Sequence, residues 1–187
     1  MAIIVESTSC TGKTVLGQRP DCLDLDSNRY KFYWDEHFAM PPKERPKLKE
    51  GEQTQNPDWW NNYLNEIIKQ SPNFKIIAVG ISSAVYENEK EFKKWLEQNN
   101  LKYIVAVPEI DDMEEWILKM DKRRKERGSS EKGRAWVIER QAYWIECMKK
   151  MNFPKITIKK DEFLENALVR EEFIERRKNE NTRTETV

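Results

Sequence analysis

Gly12-Lys13-Thr14 closes the stretch STSCTGKT, Ser7 to Thr14, which follows the apolar run Ala2 to Val5. The spacing is that of the phosphate-binding signature G-x-x-x-x-G-K-[ST], with Ser7 standing where the first glycine belongs. Each position has a chemical job. Lys13 neutralises the β- and γ-phosphates, and Thr14 gives its hydroxyl to Mg²⁺. Gly12 lets the backbone approach a phosphate with no Cβ in the way. The backbone N–H groups of Ser9, Cys10, Thr11, Gly12, Lys13, Thr14 and Val15 form the cradle for the nucleotide phosphates. Ser7 is harmless if its φ is negative; a positive φ there costs of order 1 kcal/mol and weakens binding without abolishing it. The plainer reading of the triplet is a polar turn with a solvated lysine. Its place favours the loop, because it follows a buried strand and opens a helix.

A second group of polar residues ends other short runs. CLDLDS, Cys22 to Ser27, puts Asp24 and Asp26 two residues apart, on one face of a short strand. Beside a phosphate loop, one carboxylate holds Mg²⁺ or its waters and the other accepts the proton of an attacking hydroxyl. On this reading Thr14 and Asp26 hold the metal and Asp24 orients the acceptor. The alternative is a polar strand end in which Asp26-Ser27 starts a turn. Ser82-Ser83 follows the run KIIAV, and Pro108-Glu109 follows KYIVAV. Ligands of open parallel sheets bind at the carboxyl ends of the strands, so these residues should meet the loop and Asp26 at one edge. Asn62 and Tyr63, within QNPDWWNNY, join Asp26, Ser82 and Ser83 on the expected acceptor side. Trp59 or Trp60 offers a ring for stacking on a base, although adjacent tryptophans more often divide between core and surface. KMDKRRKERG places Arg123 and Arg127 on one helical face. In phosphoryl transfer such arginines close over the phosphates and stabilise the developing charge. As a plain surface feature, they complement the helix dipole. Gly128-Ser129-Ser130 and Gly133 provide flexible points for a lid near 119–133.

The elements that must position these residues follow from the pattern of apolar runs. The chain has 187 residues, enough for one domain with its own core. Charged residues are 35%, hydrophobic ones 38% and the net charge is zero, so no global field favours nucleic acid or a membrane surface. No apolar run reaches the ~20 residues of a membrane span, and no leader pattern opens the chain. Cys10, Cys22 and Cys147 have no metal-binding spacing and fit reduced thiols in a cytoplasm. His37 is the only histidine, which argues against histidine-based catalysis.

Strands are expected at 2–5, 22–26, 75–79, 102–107 and 155–158. A short helix at 14–18 ends at Arg19-Pro20. Longer amphipathic helices are expected at 57–71, 86–100, 111–127, 133–151 and 161–177, the last capped by Asp161. In the helix from Gly133, Trp136, Ile138, Tyr143, Trp144 and Met148 form the apolar set. Residues 27–57 form an irregular loop or insertion, and 179–187 a polar tail. Apolar strands alternating with helices imply a three-layer α/β domain over 1–178, built on an open, parallel, five-stranded sheet.

With these pieces assembled, the chain resembles small P-loop kinases of the nucleoside-monophosphate and shikimate kinase type. It is most similar to kinase-like proteins common in bacteriophage genomes. The resemblance rests on the strand plus GKT, on LDLDS, on NPDWWNNYL, and on YIVAVPE, EWILK and RRKERG, covering about Ile3 to Gly128. It implies strand order 2-3-1-4-5 and assigns Lys13 and Thr14 to ATP and Mg²⁺. Asp24 and Asp26 would serve the metal and the acceptor hydroxyl, and Arg123 or Arg127 the lid. The expected activity is transfer of the γ-phosphoryl of ATP to a nucleotide, nucleoside or similar small acceptor in a cytoplasm, the host's if phage-encoded. Two alternatives stand beside it. One is a kinase acting on a modified base in phage DNA, which the neutral charge disfavours. The other is a nucleotide-binding protein with weakened catalysis that sequesters a nucleotide or binds a host protein.

Overall fold

The computed structural model describes residues 2–8, 11–33, 54–110, 113–126, 128, 131–160 and 162–177, with only the backbone at 28, 32–33, 54–55, 123–124 and 131–137. The main sheet has strands β1 (Ile3–Ser7), β2 (Cys22–Asp24), β5 (Ile76–Val79), β6 (Lys102–Pro108) and β7 (Lys155–Ile158). Their order is β2-β5-β1-β6-β7, which is 2-3-1-4-5 among these five, and every pairing is parallel. β1 lies at the centre, with Ile4 in register with Ile77 on one side and Tyr103 on the other.

Alternation along the strands sorts the core into two layers. Ile4, Ile77, Val79, Tyr103 and Val105 point to one face and pack with Tyr63, Ile67, Phe92 and Met148. These come from helices α3 (Trp59–Gln70), α5 (Glu89–Gln98) and α7 (Glu131–Lys150). Val5, Ile76, Ala78, Ile104 and Ala106 point to the other face. They meet Leu16 of α1 (Lys13–Leu16) and Leu164, Ala167 and Leu168 of α8 (Leu164–Arg170). Full burial of an aliphatic side chain such as Ile4 is worth ~1.5–3 kcal/mol, so the two-sided burial of β1 strongly selects this register.

Several boundaries differ from expectation. The helix expected at 86–100 is two helices, α4 (Ser82–Glu87) and α5, divided at Asn88. There the Asn88 side chain and amide both donate to the Ala84 carbonyl, closing α4. α7 begins at Glu131, so Gly133 lies inside a helix and is not a break. On that helix Tyr143 is exposed, whereas Ile145 and Met148 are buried. The final helix is only α8, and its expected cap, Asp161, lies outside the described residues. So do residues 178–187, the whole of the expected tail included. Within 27–57 the chain forms α2 (Asn28–Lys31) and an antiparallel pair, β3 (Phe32–Tyr33) with β4 (Thr54–Gln55). Between β6 and α7 runs α6 (Met113–Glu126). Among the described residues no helix is long and apolar enough to cross a membrane.

Candidate functional site

The carboxyl end of β1 enters the loop that the sequence singles out. Ser7 ends the strand fully buried and is absent from the positive-φ residues, so the missing glycine carries no left-handed strain. Gly12 is the residue that needs the left-handed region, with φ of 92°. A Cβ there would also lie 3.0 Å from the Phe163 ring. Thr11 is buried and ties the loop together, its hydroxyl within 3.2 Å of Ser7 Oγ and 2.9 Å of the Thr8 carbonyl. The Leu164 amide donates to the Thr11 carbonyl at 2.7 Å, docking the start of α8 on the loop. Phe163, half exposed, therefore presents its ring beside Gly12.

Lys13 opens α1 and folds back. Its Nζ donates to the Ser7 and Thr8 carbonyls, each at 2.8 Å. A Cβ on Gly80 would be 3.7 Å from that Nζ, so the ammonium stands between the ends of β1 and β5. α1 has only four residues, so its dipole is small and the fixed charge of Lys13 is the main attraction for an anion.

Thr14, one residue on, donates its hydroxyl to Asp24 Oδ2 at 3.2 Å. Burial holds the Asp24 carboxyl above its usual range, against the pull of Lys13 and the Thr14 hydrogen bond. β2 ends at Asp24, so Asp26 lies beyond the strand and is exposed. The two aspartates are therefore not successive residues of one strand face, as expected, and the carboxylate that meets Thr14 is Asp24. A hydroxyl and a carboxylate oxygen side by side are hard donors of the kind that share Mg²⁺ with phosphate oxygens. Among the described residues no group of three or more His, Cys, Asp or Glu gathers to hold a metal by itself.

Glu6 completes the site, and sequence reasoning missed it. It is one residue before Ser7 and buried. Its carboxylate accepts the Ile81 amide at 3.0 and 3.1 Å, the Ser82 amide at 3.1 Å and the Tyr103 hydroxyl at 3.1 Å. Burial raises its pKa to about 7, opposed by the Ile81 amide, Lys13, Tyr103 and Lys31. An acid ending a β-branched run was the visible signal. Lys31 was missed as well. Its ammonium lies 5.0 Å from the Trp59 ring centre, and burial lowers its pKa against the opposing charges of Glu6 and Asp26. Among the described residues the site thus brings Lys13 and Lys31 to the Glu6, Asp24 and Asp26 carboxyl groups, and the charge of Arg29 also acts on Asp24.

The other expected residues divide. Ser82 is buried, with its amide committed to Glu6, and Ser83 is partly exposed beside it. Tyr63 is withdrawn from the acceptor side: it is fully buried and donates its hydroxyl to the Leu25 carbonyl at 2.7 Å. Asn62 is exposed on α3. Val15 is largely exposed, and its carbonyl accepts from Arg177. Trp59 and Trp60 pack edge to face at 5.3 Å and both lean on the core, so neither is a free stacking surface. Ser9, Cys10 and Arg127 lie outside the described residues, as does the side chain of Arg123, whose backbone lies in α6. Burial raises the Cys22 thiol to about 12 and also raises Cys147, so neither is a reactive thiolate.

No family model, no characterised protein and no solved structure matches this chain.

Proposed function

We propose that this protein is an ATP-dependent phosphotransferase of the P-loop kinase type, acting on a nucleotide, nucleoside or similar small acceptor. One observation carries the reading: Lys13, Thr14 and Asp24 converge at the carboxyl ends of β1 and β2. Phosphoryl transfer needs positioning and charge neutralisation more than covalent chemistry, and these residues supply both. Lys13 leaves the Ser7 and Thr8 carbonyls to pair with phosphate oxygens. Mg²⁺, carried in with ATP, would be held by Thr14 and Asp24 and would neutralise charge on the β- and γ-phosphates. This exchanges the roles of the two aspartates, because Asp24 meets Thr14 and the exposed Asp26 is left to accept the hydrogen bond of the acceptor hydroxyl. Phe163 offers a half-exposed ring beside the phosphate loop for the nucleoside of ATP.

Calorimetry of Mg-ATP binding to wild type and Lys13→Ala tests the reading. Loss of a charge-assisted hydrogen bond, about 1.5–3 kcal/mol, weakens binding roughly 10- to 100-fold. A screen of nucleosides and nucleotides for ATP-dependent product then identifies the acceptor. If wild type does not bind ATP, the reading fails.

A second reading, a nucleotide-binding protein without turnover, draws on the closed loop itself. Lys13 is already satisfied by two carbonyls of its own loop. Tight ATP binding with no product across the acceptor screen selects it.

A further inference from the structure

Gln141 is 1% exposed, yet neither its amide oxygen nor its amide nitrogen has a hydrogen-bond partner among the described residues. The Trp116 indole N–H is buried and unpartnered as well. Buried polar atoms are costly when left unsatisfied, so three of them in one region call for a ligand or for ordered water.

Their places coincide. α6 ends at Glu126, α7 begins at Glu131, and the two helices pack together, so α7 runs back along α6. Trp116 lies ten residues before the end of α6 and Gln141 ten residues after the start of α7, so an antiparallel pair sets them at one height. Gln141 also heads the inward stripe of α7 that continues through Ile145 and Met148, all buried. Met148 packs in the core with Val85, Tyr103 and Val105. Seven residues of helix span about 10 Å, the length of roughly three strand residues. α7 leads within a few residues into β7, whose Lys155 stands in register with Val105, so α7 runs back against the strands and Gln141 lies towards the carboxyl end of β6. That is the edge where Lys13, Asp24 and Glu6 gather.

We infer that Gln141, with the Trp116 indole N–H, reads the base of a nucleotide acceptor. The inference rests on the kinase reading above. A carboxamide offers a donor and an acceptor side by side, and nucleobases carry the matching planar edge of adjacent donor and acceptor atoms. The indole adds one further donor. An aliphatic acceptor would leave all three atoms unsatisfied.

The test is calorimetry of AMP, GMP, CMP and dTMP with wild type, Gln141→Leu and Trp116→Phe, with Mg-ATP titrated into the same samples. Wild type is expected to prefer one base by tenfold or more, since a site built to hydrogen-bond rejects partners that cannot answer it. Gln141→Leu should erase that preference, and Trp116→Phe should reduce it several-fold while keeping the ring. If Gln141→Leu does not fold, Trp116→Phe decides. A preference unchanged in the variants overturns the inference and leaves buried water as the partner of the amide. Wild type that binds Mg-ATP but does not discriminate among the four bases overturns it too, with the phosphate loop intact. Failure of Mg-ATP itself to bind overturns the kinase reading and this inference together.

Discussion

The Lys13 ammonium donates to the Ser7 carbonyl across 2.8 Å, joining the first turn of α1 to the last residue of β1. The contact spans the whole loop and makes Ser7 an acceptor through its backbone, for which a glycine would serve no better. The Ser7 hydroxyl oxygen also accepts from the Thr11 hydroxyl. The departure from the phosphate-loop signature is therefore built into the strand end and carries no strain.

Ser7→Gly tests that conclusion. Glycine at a buried strand end costs roughly 0.5–1 kcal/mol through backbone freedom. The variant should unfold at lower denaturant by that amount, and its ATP affinity should stay within about threefold by the same physical argument, since φ there needs no glycine. A clear gain in affinity would show that the serine obstructs the loop.

Gly12→Ala should be far more damaging. Its φ of 92° is unfavourable for any L-residue, and the new methyl meets the Phe163 ring at 3.0 Å. The backbone term alone is about 1–2 kcal/mol. Denaturant unfolding should show at least that loss, and adding Phe163→Ala should recover only the contact, not the φ cost. Wild-type stability in the single variant would contradict the left-handed loop.

Glu6 should make stability depend on pH. Its pKa rises from the ordinary 4.5 to about 7 on folding, mainly through burial. The native state therefore binds a proton that the unfolded chain has released. The contribution is fully present below about 4.5 and is lost as pH rises through about 7. The shift corresponds to roughly 3 kcal/mol. Denaturant unfolding at pH 5 and pH 7.5 should show a larger fall for wild type than for Glu6→Gln, which has no proton to lose. Equal slopes in the two proteins would remove Glu6 as the titrating group.

Asp24→Asn separates chemistry from binding. It takes away the carboxylate beside the Thr14 hydroxyl but leaves a group of the same size. Under the proposed assignment, phosphoryl transfer should fall about 100-fold or more, because a metal is worth several kcal/mol of transition-state charge stabilisation. ATP affinity should change much less, since Lys13 remains. Initial rates with the identified acceptor, set beside calorimetry, check both halves. An unimpaired rate would move the metal role elsewhere, with Asp26 the next residue to test.

Much of the architecture was legible in the sequence. The runs IIV, KIIAV and KYIVAV are apolar and β-branched without alternation, which only a sheet buried on both faces can satisfy, so parallel α/β order followed. That a loop before Gly12-Lys13-Thr14 joins a buried strand to a short helix was legible because that order is written in adjacent residues. Tertiary structure decided what depends on distance across the fold. Glu6 reads as a strand residue until Ile81, Ser82 and Tyr103 surround its carboxylate, contacts 75 to 97 residues away. Tyr63 reads as a candidate for the acceptor side until the Leu25 carbonyl claims its hydroxyl. Which aspartate faces Thr14 turned on where β2 ends, and that end is set by pairing with β5. Periodicity and spacing report which side of an element is apolar. They do not report which polar groups meet when separate elements pack, because that is fixed by burial and hydrogen bonding between strands and helices distant in the chain.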